Sequence, residues 1–258
     1  HKSIVPDMAK RPSRIVLFSI LTLLIITTSF WALSRGAVET SAEEVIEALS
    51  ISDPDSTSGL KNLVIREIRL PRIVTALMVG TSLTIAGALL QGLFRNPLAD
   101  PALIGVSSGG AMGAVTAIVA LPPIVQLVGL SEHHASNVLW LGLPALAMAG
   151  SVGLTLIIYR VSLVRGHTHV PAMLLTGIAV NALGGAFVGL LVTIFATDDQ
   201  LRTITFWTLG SLSGANWSNT GILACFTIIP AILAFRQGPA LNALLLGETE
   251  AFHLGVNV

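Results

Sequence analysis

Apolar positions in this chain neither alternate with polar ones nor recur at helical spacing. They fill whole stretches: 15–33, 73–93, 103–121, 138–159, 171–195 and 219–235. A helix needs about 20 such residues to cross the hydrocarbon core of a bilayer. Each stretch therefore predicts a membrane-crossing helix. Strands of a membrane barrel would instead alternate apolar and polar residues in segments of about 10. The fold class that follows is all-α, a polytopic transmembrane helical bundle with six spans. The first run is not a signal peptide, because no small-residue cleavage site follows it and further spans do. Trp31 sits near its end, as an interfacial anchor does. Prolines mark expected boundaries: Pro71 in the first turn of the second span, where a missing N–H costs nothing, and Pro122-Pro123 at the end of the third. Pro230 predicts a kink in the sixth.

Composition narrows the class. Of 258 residues, 53% are hydrophobic and 11% charged, against about 25% charged in ordinary soluble domains. Mean hydropathy is +0.81. Charge this sparse does not cover a globule, which argues against a soluble enzyme or a disordered chain. Lys plus Arg and Asp plus Glu both number 14, so no basic excess suggests nucleic acid. Cys225 is the single cysteine and forms no internal disulfide. The 24 glycines suit helices that pack closely in a membrane. One membrane domain over residues 1–258 is expected.

Orientation follows from the basic residues. Lys2, Lys10, Arg11 and Arg14 precede the first span and place the N-terminus in the cytoplasm. Alternating from there, Arg95, Arg160, Arg165 and Arg236 also fall inside. Arg35, Lys61, Arg66, Arg69, Arg72 and Arg202 fall outside. The cluster Arg66, Arg69 and Arg72 at the mouth of the second span has two readings. It snorkels to lipid phosphates, or it docks an acidic partner, since arginine pairs bidentately with carboxylates.

Residues 69–113 carry the most information: RLPRIVTALMVGTSLTIAGALLQGLFRNPLADPALIGVSSGGAMG. Gly80 and Gly87 permit close backbone approach, and Gln91 is a polar group near the inner end of the span. Asn96-Pro-Leu-Ala-Asp100-Pro is a proline-limited turn. Gly105-Val-Ser-Ser-Gly-Gly110 opens the next span with little side-chain bulk. Either these small residues form a packing face or they line a translocation path. They are not a phosphate loop, because no lysine follows the glycines.

This segment resembles the signature of the permease family of type II ABC importers, which carry iron siderophores, haem and vitamin B12 in bacteria. The RLPR, the G…G…Q span, the NPLA-[DE]-P turn and the G-V-S-x-G-A start are present in order. Asp199–Trp217 resembles the short external helix and loop between spans five and six of that family, and Leu246–Val258 its cytoplasmic coupling segment, taken as 241–258. The segment's two acidic residues and short helix, ended by Gly255, also suit an ordinary surface helix. The resemblance implies a ten-span permease, six spans of which lie in this chain.

It further implies a homodimer in the bacterial inner membrane with the path at its axis, two ATPase subunits below and a periplasmic binding protein above. ATP with its magnesium would sit on the ATPase, so this chain is expected to be no enzyme and to hold no cofactor or metal. Arg69 and Arg72 would dock the binding protein. Gly247, Glu248, Ala251, Leu254 and Gly255 would meet the ATPase. Gln91, Asn96, Asn181, Gly184, Gly185, Gly189, Arg202 and Phe206 would lie along the path. The stretch from Asp198 looks closest to haem permeases. Arg202 would pair with a haem propionate, and Phe206 or Trp207 would stack on the porphyrin. Alternatively Arg202 pairs with Asp198 or Asp199 one turn back. A ferric siderophore or vitamin B12 is the alternative substrate.

Two rival classes fit less well. An ion-coupled transporter wants carboxylates or basic residues within its spans as relays, and these spans lack them. A membrane-embedded enzyme wants an activated nucleophile, and nothing in sequence activates Ser107 or Ser108. His133-His134 reads as a solvated pair, His167 and His169 as loop residues, and no histidine or cysteine spacing suits structural zinc.

Overall fold

The computed structural model describes residues 13–50, 59–164, 167–168 and 170–256. Arg165 and His169, together with the cationic N-terminus through Arg11, lie outside them. The helices in chain order are α1 (Arg14–Ser34), α2 (Ala42–Leu49), α3 (Gly59–Leu63) and α4 (Leu70–Phe94), then α5 (Val106–Val128), α6 (Glu132–Val161) and α7 (Val170–Phe195). They continue with α8 (Asp198–Leu209), α9 (Trp217–Arg236), α10 (Gly238–Leu246) and α11 (Glu248–His253). Among the described residues, six helical stretches are long and apolar enough to cross a membrane, at the places the hydrophobic runs predict. A two-residue hairpin, β1 (Leu163–Val164) with β2 (His167–Thr168), interrupts the helices before α7. His167 is therefore paired backbone rather than loop.

Contacts divide the chain into two compact units, residues up to Gly80 with Leu212–Thr227, and Thr81–Ser211 with the chain from Ile228 onward.

In the first unit, Leu33 of α1, Val45 and Ala48 of α2 and Ile65 form a buried cluster. α2 begins with a capping box, Ser41 and Glu44 each accepting from the other's backbone N–H. Glu44 also pairs with Lys61 at 2.8 Å. The Lys61 ammonium, and then the Ser41 N–H, hold the Glu44 carboxyl below the usual carboxylate range.

The second span corrects the sequence reading of Pro71. Pro71 does not open a helix. Helical backbone already runs through α3 and a π-turn, Val64–Arg69, into α4. Pro71 is fully buried within this continuous 36-residue helix. A proline inside a helix removes one N–H and crowds the preceding turn. The wide π-turn takes up that crowding. Leu70 N–H reaches back five residues to the Ile65 carbonyl. In that register the Arg66 carbonyl would accept from residue 71, which has no hydrogen to give. The Trp217 indole N–H serves it instead, at 3.0 Å.

The third span also overruns its expected end. α5 continues through Pro122 and Pro123 to Val128. The carbonyl that Pro122 cannot serve is that of Ile118, four residues back. It accepts from Gln200 Nε2 at 3.0 Å. Gln200 Oε1 meanwhile accepts from Thr197 N–H, closing the capping box that starts α8. One amide thus starts α8 and pins it to α5, where Ile204 packs on Val115 and Ile118. α9 likewise runs through Pro230.

The second unit is built on glycine. A Cβ added at Gly109 would lie 2.3 Å from the Gly150 carbonyl oxygen, and one at Gly113 would lie 1.9 Å from that of Leu146. Only glycine permits α5 and α6 to approach this closely. Ser151 Oγ adds a hydrogen bond to the Val106 carbonyl at 2.8 Å.

Candidate functional site

The arginine cluster is not a uniform docking patch. Arg66 Nε and Nη2 donate to the Ala48 and Ser50 carbonyls at 2.6 and 2.5 Å. A cation there also suits the negative end of the α2 dipole. Arg69 is buried. It donates to the Leu33 carbonyl at 2.5 Å, to Thr40 Oγ1 at 2.8 Å and to the Val38 carbonyl. The loop wraps so closely that a Cβ at Gly36 would lie 2.8 Å from Arg69 Nη2. The Arg69 guanidinium, expected from sequence to face a partner, is held by acceptors of its own chain. Arg72 is exposed and reaches the Leu212 and Ser213 carbonyls at 3.2 and 3.4 Å. It is the member of the RLPR pair open to solvent.

The NPLADP turn is set by its own side chains. Asn96 Oδ1 accepts from Leu98 N–H at 2.9 Å, and Asp100 Oδ1 from Ala102 N–H at 2.7 Å. The Asn96 side-chain carbonyl thus shapes the turn. α4 closes at Arg95, which takes a left-handed φ of 50°. Asn96 N–H bonds back to the Gln91 carbonyl at 3.1 Å, as in a Schellman ending. The Gln91 side chain is exposed.

On α7 the expected path residues part company. Asn181 Nδ2 donates to the Ala102 carbonyl at 2.9 Å. A Cβ at Gly184 would meet Met112 Sδ at 3.1 Å, and one at Gly177 would lie 2.0 Å from the Leu103 oxygen. Gly177, Asn181 and Gly184 thus share a helix face that seats residues 102–112 of the same chain. Asn181 and Gly184 make these contacts within the chain. Gly177 escaped the sequence reading because nothing local marks which glycine meets a carbonyl. Gly185 and Gly189 have nothing within 4 Å of an added Cβ and remain on an open face.

α8 presents a free cation. Arg202 is exposed, and among the described residues no ion pair joins it to Asp198 or Asp199. Phe206, one turn on, is 70% exposed. Trp207 and Thr208 line an open groove of about 740 Å³ with Ser107, Ser108, Ala147 and Met148. No ionisable side chain lines it. The hydroxyls of Ser107 and Ser108 make no hydrogen bond among the described residues.

The segment after α9 is a helix pair. Gly247, at φ 132°, turns α10 into α11. Glu248 begins α11. Gly255, at φ 83°, ends the second helix, with Val256 N–H returning to the Ala251 carbonyl at 3.0 Å. The short helix ended by Gly255 is as the sequence suggests. Ala251 is fully buried. Leu254 and Phe252 are exposed; the sequence reading did not single out Phe252. His133 and His134 are exposed and meet edge to face, 5.9 Å apart, at the start of α6.

Comparison with known proteins agrees with this architecture. The chain is 42% identical over 192 residues to the hemin transport system permease protein HmuU of Yersinia pestis, covering 74% of this chain and 54% of that protein. It is 37% identical over 196 residues to the cobalamin import system permease protein BtuC of Halobacterium salinarum, covering 76% and 48%. The chain thus spans about half the length of these curated relatives. A solved structure described as an inward-facing conformation of a metal-chelate type ABC transporter matches with a TM-score of 0.72 at 32% identity, over 94% of this chain and 68% of that one. The FecCD transport family profile matches residues 22–258. A match over nearly the whole chain, on a helical membrane fold with the signature turn in place, makes this chain a member of the FecCD transport family.

Proposed function

We propose that this chain is the membrane-spanning part of an importer permease that moves haem across the bacterial inner membrane. It works as a homodimer with two ATPase subunits and a periplasmic binding protein. Hydrolysis of magnesium-ATP belongs to the ATPase. The permease converts nucleotide-driven closure into tilting of its helices. Its N-terminus is cytoplasmic by the distribution of basic residues. Arg72 meets the acidic binding protein, and the exposed Leu254 and Phe252 meet the ATPase.

The observation that carries the haem reading is on α8. An unpaired, exposed guanidinium, Arg202, stands one turn from an exposed ring, Phe206. The groove past Trp207 carries hydroxyls and apolar groups but no charge. A flat apolar macrocycle with carboxylates at one edge suits that division of polarity. The likeness to a hemin permease supports it. A second reading, cobalamin or a ferric chelate, draws on the likeness to a cobalamin permease and to a metal-chelate type transporter.

The test uses the full-length permease in liposomes with its ATPase and binding protein. ATP-dependent uptake of haem is measured beside a ferric siderophore and cobalamin. Haem uptake is expected, slowed about tenfold by Arg202→Glu, the scale of one lost charge pair. Uptake of cobalamin or the siderophore in place of haem would sink the haem reading and leave the importer reading intact.

A further inference from the structure

Few contacts hold α8 to the rest of its unit. From Leu201 to Leu209 every residue is exposed except Ile204, which packs on Val115 and Ile118 of α5. Among the described residues, Gln200 is the only residue of α8 whose side chain hydrogen-bonds to another helix, through Nε2 to the Ile118 carbonyl at 3.0 Å. The threonines Thr203, Thr205 and Thr208 bond back to carbonyls of α8 itself. Both holds thus lie in the first two turns. Beyond them, Trp207 and Thr208 form one side of the groove that Ser107 and Ser108 of α5 and Met148 of α6 complete. Trp207 stands about 10 Å along the helix axis from Gln200, so a change of angle at Gln200 is carried to the groove wall.

The Gln200 amide makes two bonds of different reach. Its Oε1 accepts from Thr197 N–H at 3.0 Å and caps α8. An N–H needs an oxygen and a carbonyl needs an N–H, so the two partners fix which way the amide points. The cap acts within three residues and would start α8 wherever that helix lay. The bond to Ile118 crosses to α5 and fixes where it lies. The Ile118 carbonyl is open to it because Pro122 has no N–H to give. With an N–H at position 122, α5 would satisfy that carbonyl without help from α8.

We infer that Gln200 is a positioning residue for the transported substrate: through the Ile118 carbonyl that Pro122 leaves bare, it sets where α8 stands, and so where Arg202, Phe206 and Trp207 meet that substrate. The inference rests on the reading of α8 as a substrate-facing helix given under Proposed function. It adds which bond places the helix.

The test uses the full-length permease. Haem uptake driven by ATP is measured in liposomes with the ATPase and binding protein. The placing of α8 is measured without substrate, in lipid nanodiscs, as the distance between spin labels on Leu156→Cys of α6 and Leu209→Cys of α8, with native cysteines replaced by serine. Both labelled positions are exposed. Gln200→Glu keeps an oxygen for the Thr197 cap but, ionised, has no N–H for Ile118. It should broaden the distance distribution and lower uptake severalfold. Gln200→Glu combined with Pro122→Ala gives the Ile118 carbonyl an N–H from its own helix. Thermal stability should then return towards that of the unsubstituted protein, while uptake stays low and the distribution stays broad. This pair also carries the test if Gln200→Glu alone does not fold. Uptake restored along with stability would overturn the positioning role, since the bond would then only satisfy a carbonyl. An unchanged distance distribution in Gln200→Glu would overturn the hold on α8 itself. Uptake of cobalamin or a siderophore in place of haem would overturn the haem reading, and a severalfold fall of that uptake in both variants would support the positioning role without it.

Discussion

Each of the two units of this chain has its own kind of internal contact. In the unit that contains α1, α2 and the π-turn, side chains reach across to backbone carbonyls. Arg69 gathers Leu33, Val38 and Thr40, Arg66 caps α2, and the Trp217 indole serves the carbonyl that Pro71 leaves bare. In the unit built on α5 and α6, backbone meets backbone with almost no side chain between, at Gly109, Gly113 and Gly150. Polar reach can be lost one bond at a time and partly replaced by water. Contact between glycines has no such tolerance, because an added methyl has nowhere to go. Unequal sensitivity to substitution is the consequence.

The largest effect is expected where an added atom meets backbone. Gly113→Ala should destabilise the folded permease by about 3 kcal/mol or more, the upper range for overpacking. Gly153→Ala, on the same helix pair but with nothing within 4 Å of an added Cβ, should be neutral or gain up to about 1 kcal/mol. Unfolding in detergent compares them, and equal losses would break the contrast between the two units. Next comes Arg69→Ala, which strands the Leu33 carbonyl in a buried place and should cost about 2 kcal/mol. Affinity of the folded protein for hexaglutamate, an acidic probe, should not change, since Arg69 is occupied internally. Loss of affinity at unchanged stability would make Arg69 a docking residue. The smallest effect sharpens the role of Pro71. Trp217→Phe should cost about 1 kcal/mol for one hydrogen bond. In a Pro71→Ala background the cost should shrink, because residue 71 then has its own N–H to give. A double-mutant cycle on thermal unfolding measures that coupling.

The same contrast explains what was legible beforehand. The spans were plain in the sequence, because a run of about 20 apolar residues admits few other fates. The helix ends were less so. Pro71 and Pro122 look like boundaries because each lacks an N–H, yet both lie inside helices. The carbonyls they leave bare are served by Trp217 and Gln200, which are 151 and 82 positions away in the numbering of the chain. No local pattern announces such a partner. The arginine cluster was visible as three like charges, but sequence shows charge and not direction. Only the fold separates Arg69, turned inward by the wide π-turn, from Arg72, one helical turn on and exposed.

Sequence alone determined the membrane class, the six runs, the proline-limited signature turn, and the short helix that stops at Gly255. These rest on hydrophobicity and on bonds between near neighbours, which the chain carries wherever it goes. Tertiary structure decided which glycines touch a neighbour and which lie open, so Gly184 packs while Gly185 does not. It decided that Asn181 holds the Ala102 carbonyl and that, among the described residues, Arg202 makes no ion pair with Asp198 or Asp199. Those outcomes depend on what another helix presents at a given depth and rotation. That is set by the packing of whole faces, and a difference of one residue, about 100° around a helix, reverses it.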